Sequence, residues 1–363
     1  MMVRMVKRVR RAAAALAGSA PVDWLLTRLE HAAGGRDQTL TVLTYHRVAW
    51  PDDRPWLYPG LLSATPDDFE RDVRWLSRRG AVLSMDDVLI ARSRRRLPRR
   101  AILVTFDDGY ADLADYAWPI LRAAGMPATL FVTTAGAEAA DATGRPGTVA
   151  SSPFWWDRLY EAVQGSDAAV ADTPAGRVDL KGSRRDPAAF AGLLDRMKGL
   201  PHRELLAVVE AICRLAATAP PEDGARPATL DWSALRRLQG EGLTVAPHTR
   251  THPILPMLSA ADAEAEVVGS RDDLFARLPG SNVDVFAYPS GRYDAATLAV
   301  VDRAGFQLAF STDRGLNRLG QSDRLRLRRF NVGRRSSPGL LAAQMLVAPA
   351  MFRERRSTGT RTF

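Results

Sequence analysis

Two adjacent carboxylates, Asp107 and Asp108, end an apolar run that starts at Ala101, and Gly109 follows them directly. An apolar run bounded by turn residues is typical of a buried strand in a parallel sheet. Like charges this close resist joint ionisation unless a cation lies beside them or one of them does acid–base work. The stretch is equally typical of a strand followed by an Asp-rich turn that caps a helix. These residues alone therefore leave the chemistry open.

Two histidines, His248 and His252, shift the balance towards a site. They are two of only five in the chain, and they follow a predicted strand at 243–246, about 140 positions after the Asp pair. The flanking Pro247 and Pro253 disfavour a long helix, so a tight loop must bring the two rings together. Two histidines and one carboxylate suit a borderline divalent metal with positions left open for water. In α/β barrels such sites collect at the C-terminal ends of the strands.

The elements around these residues alternate between strand and helix. The strand that begins at Ala101 is followed by a helical pattern at 110–124 and a second strand at 128–133, which is βαβ spacing. This rhythm predicts an α/β fold of parallel strands with right-handed crossovers. It breaks between about residues 135 and 229, where helical patterns predict a mostly helical insertion.

Trp155 and Trp156 begin a predicted helix inside that insertion. Flat aromatic faces suit the apolar faces of pyranose rings, so the pair could stack on a sugar. The two rings could equally attach the insertion to the barrel, because burial is the commoner fate of large aromatics at a helix start.

The net charge of +9 comes almost entirely from arginine, since only Lys7, Lys181 and Lys198 are lysines. Basic chains can bind nucleic acid or an anionic membrane. Here the charge is spread along the chain, without zinc-finger spacing or a recognition helix, so we expect no nucleic-acid partner. The single Cys213 excludes an internal disulfide framework and is interpreted as a small core residue.

The two ends of the chain differ in pattern from its body. Residues 1–35 form a basic N-terminal segment whose apolar part is short for a signal peptide. Its pattern is compatible with an amphipathic helix on an anionic membrane surface, and a solvated basic tail is at least as good an interpretation. We expect a cytoplasmic protein with a possible peripheral membrane contact, and export is the alternative. Residues 347–363 form a charged tail.

Three motifs resemble those of polysaccharide deacetylases with the NodB homology domain, the fourth family of carbohydrate esterases. Residues 105–109 (TFDDG) and 248–252 (HTRTH) resemble the first two motifs, and residues 286–294 (FAYPSGRYD) resemble the third. The resemblance covers roughly residues 39–332 without the insertion. It implies a distorted parallel (β/α) barrel, here at 36–346, and metal-dependent removal of N-acetyl groups from an N-acetylated amino-sugar glycan.

The resemblance also implies a role for each motif residue. Asp107 matches the base that takes a proton from the activated water, and Asp108, His248 and His252 match the ligands of a divalent metal ion. Zinc is the first expectation for that ion, with Co, Ni, Mn and Fe compatible with the same ligands. The backbone N–H of Ser290 would donate to the oxyanion.

Other residues of the third motif and of the insertion are expected to contact the substrate. Tyr288 and Pro289 follow the last strand before the third motif's turn, and Trp155 and Trp156 begin the helix in the insertion. We assign all four side chains to substrate binding.

The chain departs from the family pattern at two positions. It lacks the arginine that usually positions the base and the histidine that usually acts as the acid. Ala287 stands where the third motif often has an arginine that positions the base, and Arg292 or Arg250 could substitute for it. The family's terminal Leu-x-His motif has no counterpart, because no histidine follows His252. We propose His46 as the general acid instead. Barrel closure brings the first and last strands together, and poly-N-acetylglucosamine deacetylase-like members carry a similar Tyr-His near the start.

Two other functions compete with a deacetylase. A glycan-binding pseudoenzyme would explain the missing arginine and the missing terminal histidine, but it has no need to keep both the base and the ligands. An amidohydrolase acting on a small non-sugar amide could share the barrel, although a long insertion with aromatics favours an extended groove.

Overall fold

A computed structural model describes residues 38–143, 154–216, 228–336 and 338–342 of the 363. The predictions for residues 1–35 and 347–363 lie outside the described residues. Within the described ranges, no helix combines the length and the apolar character that a bilayer crossing requires.

The strands are short except for two that run through the centre of the fold. They are β1 (Thr39–Tyr45), β2 (Arg47–Val48), β3 (Leu62–Ala64), β4 (Ala81–Leu83), β5 (Ala101–Asp108), β6 (Thr129–Val132), β7 (Val170–Thr173), β8 (Gly176–Asp179), β9 (Thr244–Pro247), β10 (Val285–Ala287), β11 (Leu308–Phe310), β12 (Asn317–Arg318) and β13 (Phe330–Asn331).

The α-helices lie mostly between these strands. They are α1 (Pro66–Arg79), α2 (Met85–Ser93), α3 (Trp118–Ala123), α4 (Thr134–Thr143), α5 (Trp155–Gly165), α6 (Leu180–Arg185), α7 (Pro187–Met197), α8 (His202–Cys213), α9 (Trp232–Gly240), α10 (Ala260–Arg277) and α11 (Ala295–Arg303). Helix α1 begins as its sequence predicts: the Thr65 side chain accepts a hydrogen bond from the Asp68 amide, and Pro66 takes the first helical position.

Strands β1, β5, β6 and β9 form a parallel sheet in that order. All residues of β1 and β5 are buried, as expected for strands covered on both faces. Hydrogen bonds continue the arrangement round towards β1. The Asn282 amide donates to the Val245 carbonyl, β10 runs parallel to β11, and the Leu327 amide donates to the Ala309 carbonyl. Finally β13 pairs in parallel with β1. The α/β barrel class predicted from the sequence is therefore confirmed, in a distorted form.

The interior of this ring is filled by side chains from several strands. Val42, Leu103, Phe131, Ala246 and Phe310 come from β1, β5, β6, β9 and β11, and they belong to one buried cluster. Layers contributed by different strands are typical of a barrel interior. The packed interior leaves the C-terminal ends of the strands as the place where polar side chains meet.

The insertion builds a core of its own. Trp155, Phe190 and Leu205 from α5, α7 and α8 share one buried cluster, and Cys213 lies half-buried at its margin. The helices match the predicted character of this region. The antiparallel hairpin of β7 and β8 was not predicted, because its short strands are largely polar and exposed.

Candidate active site

Polar side chains from separate strand ends meet around one cavity of about 330 Å³. His46 follows β1, Asp107 and Asp108 end β5, and His248 follows β9. Because the C-terminal ends of parallel strands meet at the same edge, three remote segments reach one place. The cavity is lined by His46, Tyr58, Gly60, Leu61, Ser63, Asp107, Asp108, Trp156, Leu194, Lys198, His248, His252, Ser290, Thr312, Asn331, Val332 and Gly333.

Asp108, His248 and His252 form a compact, buried set of possible metal ligands. The Nε2 atoms of His248 and His252 lie 3.5 and 3.4 Å from Oδ1 of Asp108. One ligand atom from each residue lies within 4.8 Å of the other two. The Nδ1 of His248 is 2.7 Å from the Ala287 carbonyl, to which only a protonated Nδ1 can donate, so its Nε2 lone pair faces Asp108.

The unpaired carboxylate oxygen and the pKa values of this set are compatible with a bound cation. Oδ1 of Asp108 is buried without a hydrogen-bond partner, which is costly for a carboxylate oxygen. Burial opposes ionisation of Asp108, but the neighbouring His248 and His252 outweigh it and hold the pKa of Asp108 below its usual range. Burial lowers the pKa of His252 to about 3, against the opposing charge of Asp108, so its ring is neutral. An ionised carboxylate and neutral imidazoles are the ligand forms that a divalent metal ion requires.

Asp107, unlike Asp108, has an arginine partner, because Arg329 binds it with two parallel hydrogen bonds. The distances are 2.8 Å from Nη1 to Oδ1 and 2.7 Å from Nη2 to Oδ2, and both side chains are buried. The Nε of Arg329 also donates to the Ser311 carbonyl at 2.9 Å. Burial raises the pKa of Asp107, but Arg329 and the nearby His248 outweigh it, so this pKa lies below its ordinary value. Asp107 is therefore ionised at neutral pH.

This finding corrects the two candidates offered for the missing arginine. Arg250 pairs with Asp273 at 2.8 Å, and Arg292 donates to the Lys198 carbonyl, so neither reaches Asp107. Arg329 precedes β13, which pairs with β1 on the side opposite β5. The arginine that pairs with the base thus comes from the C-terminal part of the barrel sequence.

The loop between the two histidines is held from outside by Glu266 of α10. Its Oε2 accepts hydrogen bonds from the amides of Arg250 and Thr251, each at 2.9 Å. Its Oε1 accepts from the Thr251 hydroxyl at 2.7 Å. The His252 amide in turn donates to Oγ1 of Thr249 at 3.1 Å. Three donors of the loop therefore converge on one carboxylate that sequence reasoning missed.

Several site residues adopt a backbone conformation that is uncommon outside glycine. The φ angles of Asp108, Thr249, His252 and Ser290 are +77°, +66°, +58° and +53°. Such angles cost free energy and persist only where surrounding contacts hold them. Gly109, at φ +92°, leaves no room for a side chain, because a Cβ there would lie 2.7 Å from Cγ2 of Val132.

The structure separates the two predicted tryptophans. Trp156 lines the cavity, donates from Nε1 to the Tyr110 hydroxyl at 2.9 Å, and packs its ring edge-on against His252 with 4.6 Å between centroids. Trp155 is buried in the insertion core and is not among the lining residues. Successive helix residues point about 100° apart, so only one of two neighbours can face the site.

The third motif is divided in the same way. Ser290 lines the cavity, whereas Tyr288 and Pro289 are buried and do not. The Tyr288 ring packs against Phe286 and Tyr293. The prediction that Tyr288, Pro289 and Trp155 contact the substrate directly is therefore corrected, because their side chains are buried behind the cavity.

His46, the predicted general acid, lines the cavity close to Asp107. Tyr45 pairs with Phe106 in the parallel register of β1 and β5, so the next residues along, His46 and Asp107, come side by side at the strand ends. The His46 side chain is half-buried and lines the cavity, while its amide is fixed by the Ser63 hydroxyl at 2.9 Å.

Comparison with known proteins identifies the family. A family model described as polysaccharide deacetylase matches residues 94–168 and 206–309 and leaves out a middle part of the insertion. The chain belongs to the polysaccharide deacetylase family. The resemblance of its motifs to that family is thereby confirmed.

Two curated relatives are similar in sequence to parts of this chain. A putative polysaccharide deacetylase YxkH of Bacillus subtilis is 28% identical over 95 residues, which are 26% of this chain and 31% of that protein. A poly-beta-1,6-N-acetyl-D-glucosamine N-deacetylase of Staphylococcus aureus is 30% identical over 73 residues, 20% of this chain and 25% of that one. The matches thus span about a quarter to a third of these relatives' lengths.

The solved structure extends the comparison to most of the chain. The deacetylase PplD of Streptococcus pyogenes, in complex with acetate, aligns over 85% of this chain and 98% of its own, with TM-score 0.55 and 21% identity. At that identity the likeness shows the shared deacetylase fold.

Proposed function

We propose that this protein hydrolyses N-acetyl groups from an amino-sugar polysaccharide or glycan precursor, with Asp107 as base, His46 as acid and a divalent metal ion, zinc first, held by Asp108, His248 and His252. The observation that carries the proposal is the pairing of Asp107 with Arg329 directly beside a ligand set whose buried oxygen has no partner. The named activity of the Staphylococcus aureus relative supports the choice of an N-acetylated glycan as substrate.

The chain's own residues supply the proton transfers. A bound divalent ion would supply Lewis acidity, which lowers the pKa of water and polarises the acetamide carbonyl. Asp107 is ionised and takes one proton from the attacking water as its oxygen bonds to the carbonyl carbon. Arg329 occupies one direction at each carboxylate oxygen and leaves a second lone pair on each for that proton. When the C–N bond breaks, His46 gives its proton to the departing amine.

The backbone N–H of Ser290 would stabilise the carbonyl oxygen as negative charge develops on it. Ser290 lines the cavity, and its amide has no intramolecular acceptor within the part of the chain that the structure describes. A backbone N–H fixed in an unusual conformation needs no reorganisation during the reaction, which is the advantage of a preorganised oxyanion donor.

The arginine position also bears on the pseudoenzyme alternative. That reading was motivated partly by the absent arginine of the third motif. Arg329 makes the expected contact from another strand, so this motive no longer separates the chain from active members. An active enzyme is therefore the better-supported reading.

Acetate release with matched metal analysis tests the proposal. The purified protein, loaded with zinc, should release acetate from N-acetylated chitooligosaccharides or poly-N-acetylglucosamine. Asp107→Asn should keep the metal and lose about 10³-fold in turnover, since a positioned base contributes 10²–10⁴-fold. Asp108→Asn should lose the metal. Metal retained in Asp108→Asn but lost in Asp107→Asn would reverse the two roles.

The same assay tests His46. His46→Gln should bind metal normally and lose about 10²-fold in turnover. Near-normal turnover in this variant would exclude His46 as the acid, and no acetate from any glycan by metal-loaded protein would contradict the proposed function as a whole.

A further inference from the structure

Among the described residues that line the cavity, the insertion contributes one lysine or arginine, Lys198. It directly follows α7 and lines the cavity together with Leu194 of the same helix and Trp156 of α5. Only three of the chain's fifty basic residues are lysines, so a lysine is an uncommon choice at this position. A lysine ammonium is a compact point charge on a flexible stem, which suits an anionic partner of variable placement.

The barrel fixes the backbone of Lys198. Nη1 of Arg292 donates to the Lys198 carbonyl at 3.1 Å, and the Lys198 amide donates to the Leu194 carbonyl at 3.0 Å. Arg292 follows the turn that contains Ser290, so this contact joins the insertion wall to the predicted oxyanion donor. The stem of Lys198 therefore starts from a defined point beside the reacting centre.

Among the residues that the structure describes, no carboxylate forms an ion pair with the Lys198 ammonium, although the side chain is half-buried. Its half-buried side chain is only partly solvated by water, and this burial lowers the pKa of Lys198 from its ordinary value, against the nearby Asp195. A partly desolvated charge without a partner is stabilised when an anion arrives.

The charges around the cavity allow such an anion. Within the described part of the chain, the acidic residues that line the cavity are Asp107 and Asp108. Arg329 compensates Asp107, and Asp108 belongs to the ligand set, so neither repels an incoming negative group once the metal ion is bound. Lys198 is the one lysine or arginine among the described residues that line the cavity.

We propose that Lys198 makes this cavity selective for N-acetylated sugars that carry an anionic group, a carboxylate or a phosphate, next to the acetamido ring. This inference rests on the proposed function and names its substrate class. Leu194 and Trp156 would cover the apolar face of the sugar, and Lys198 would bind the charged substituent.

Binding measurements test the proposal independently of turnover. The probes are a disaccharide of N-acetylglucosamine and glucuronate, N-acetylglucosamine 1-phosphate, and the neutral N,N′-diacetylchitobiose, each titrated into zinc-loaded protein at fixed ionic strength. Quenching of tryptophan fluorescence reports binding. We expect at least one anionic probe to bind about tenfold more tightly than the neutral one, and the probe that does so distinguishes carboxylate from phosphate.

Variants assign that preference to the lysine. Lys198→Gln should abolish the tenfold preference and leave the affinity for the neutral disaccharide unchanged, whereas Lys198→Arg should keep most of it. Lys181→Gln, which changes an exposed lysine of the same insertion, is the matched control and should behave as wild type. Thermal unfolding of each variant checks that the fold is retained.

The outcomes separate the two proposals. Equal affinity for anionic and neutral probes, or a preference that survives in Lys198→Gln, would overturn the role of Lys198 even if acetate is released. An intact charge preference without acetate release from any glycan would contradict the proposed hydrolysis and leave the anion site supported.

Discussion

The floor and the wall of the cavity are built on different principles. The floor consists of strand ends of the barrel, where Asp107, Asp108 and His248 are almost fully buried and are fixed by neighbouring strands. The wall comes from the insertion, whose Trp156 and Lys198 reach the cavity from a separate hydrophobic core. Since the floor holds the groups that react and the wall holds groups that can only contact, changes to the floor should alter turnover or metal binding. Changes to the wall should alter substrate affinity.

Among the residues that support the reacting groups, the largest effect is expected at Arg329. Arg329→Met leaves the buried Asp107 without its counter-charge, and breaking a buried pair costs about 3–5 kcal/mol. Stability measured by urea unfolding should fall by about this amount, and turnover by about 10²-fold. Because Arg329 lowers the pKa of Asp107, its removal raises that pKa, and the acidic limb of the activity–pH profile should move to higher pH.

Two further variants keep this test informative if Arg329→Met folds poorly. Arg329→Lys retains the charge but cannot make two parallel hydrogen bonds, so its acidic limb should move less. Asp107→Asn/Arg329→Met removes both charges and should recover part of the stability. An unshifted acidic limb in Arg329→Lys, together with normal turnover, would show that Arg329 does not position the base.

The sign of the stability effect follows from the same pKa. Asp107 has a lowered pKa in the folded protein, so its ion pair stabilises the fold above the unfolded-state value of about 4. That contribution is lost as pH falls through the folded pKa. The stability difference between wild type and Arg329→Met should therefore be large at neutral pH and shrink in strong acid.

A smaller effect is expected at Glu266, which supports the floor from outside. Glu266→Gln weakens the acceptor for two amides and a hydroxyl of the loop that carries both histidines. We expect zinc affinity, measured by competition with a chelator, to fall about tenfold, the lower end of the range for residues that orient metal ligands. Glu264→Gln, on the same helix and exposed, is the control. Equal zinc affinity in both variants would show that the loop holds its shape without Glu266.

The smallest effect is expected on the wall. Trp156→Leu removes the ring beside His252 and the hydrogen bond to Tyr110, but no reacting group. KM should rise a few-fold, since a stacked aromatic contributes about 1 kcal/mol, while kcat stays within about twofold. Trp155→Leu is the comparison: it should lower the unfolding temperature and leave KM unchanged, because that ring lies in the insertion core. If Trp156→Leu lowers kcat by a larger factor than it raises KM, the result would contradict the assignment of turnover to the floor and of affinity to the wall.

The residues that sequence reasoning found are those whose signal is local. Asp107 and Asp108 stand beside Gly109 at a strand end, and His248 and His252 are four positions apart, so type and spacing alone mark them. The βαβ rhythm likewise predicts parallel strands, which bring these ends together.

The residues that it missed depend on contacts between distant segments. Arg329 meets Asp107 across 222 positions, and nothing distinguishes it locally from the arginines around it. Glu266 lies among other acidic residues of α10, and only the docking of that helix selects it. A sequence shows which residue types are present, whereas barrel closure decides which of them become neighbours.

The insertion shows the same limit at the level of one dipeptide. Trp155 and Trp156 carry equal signals, and the rotation of α5 on its core decides which ring faces the cavity. Strand β12, of two residues, was also missed, since its strand partner is the distant start of β1, with which it pairs antiparallel. Where the element is short or the choice is between neighbours, packing supplies the information.

The positive φ angles at Asp108, Thr249, His252 and Ser290 have a consequence for protein engineering. Glycine at such a position relieves backbone strain, so ordinary stabilising design would replace Thr249 or Ser290 first. Yet glycine also frees the backbone that aims a ligand or an amide at the substrate. Thermostability gained at these positions would therefore leave the ligand or the amide less well oriented. A more heat-resistant variant should instead be sought in the insertion core or among the outer helices.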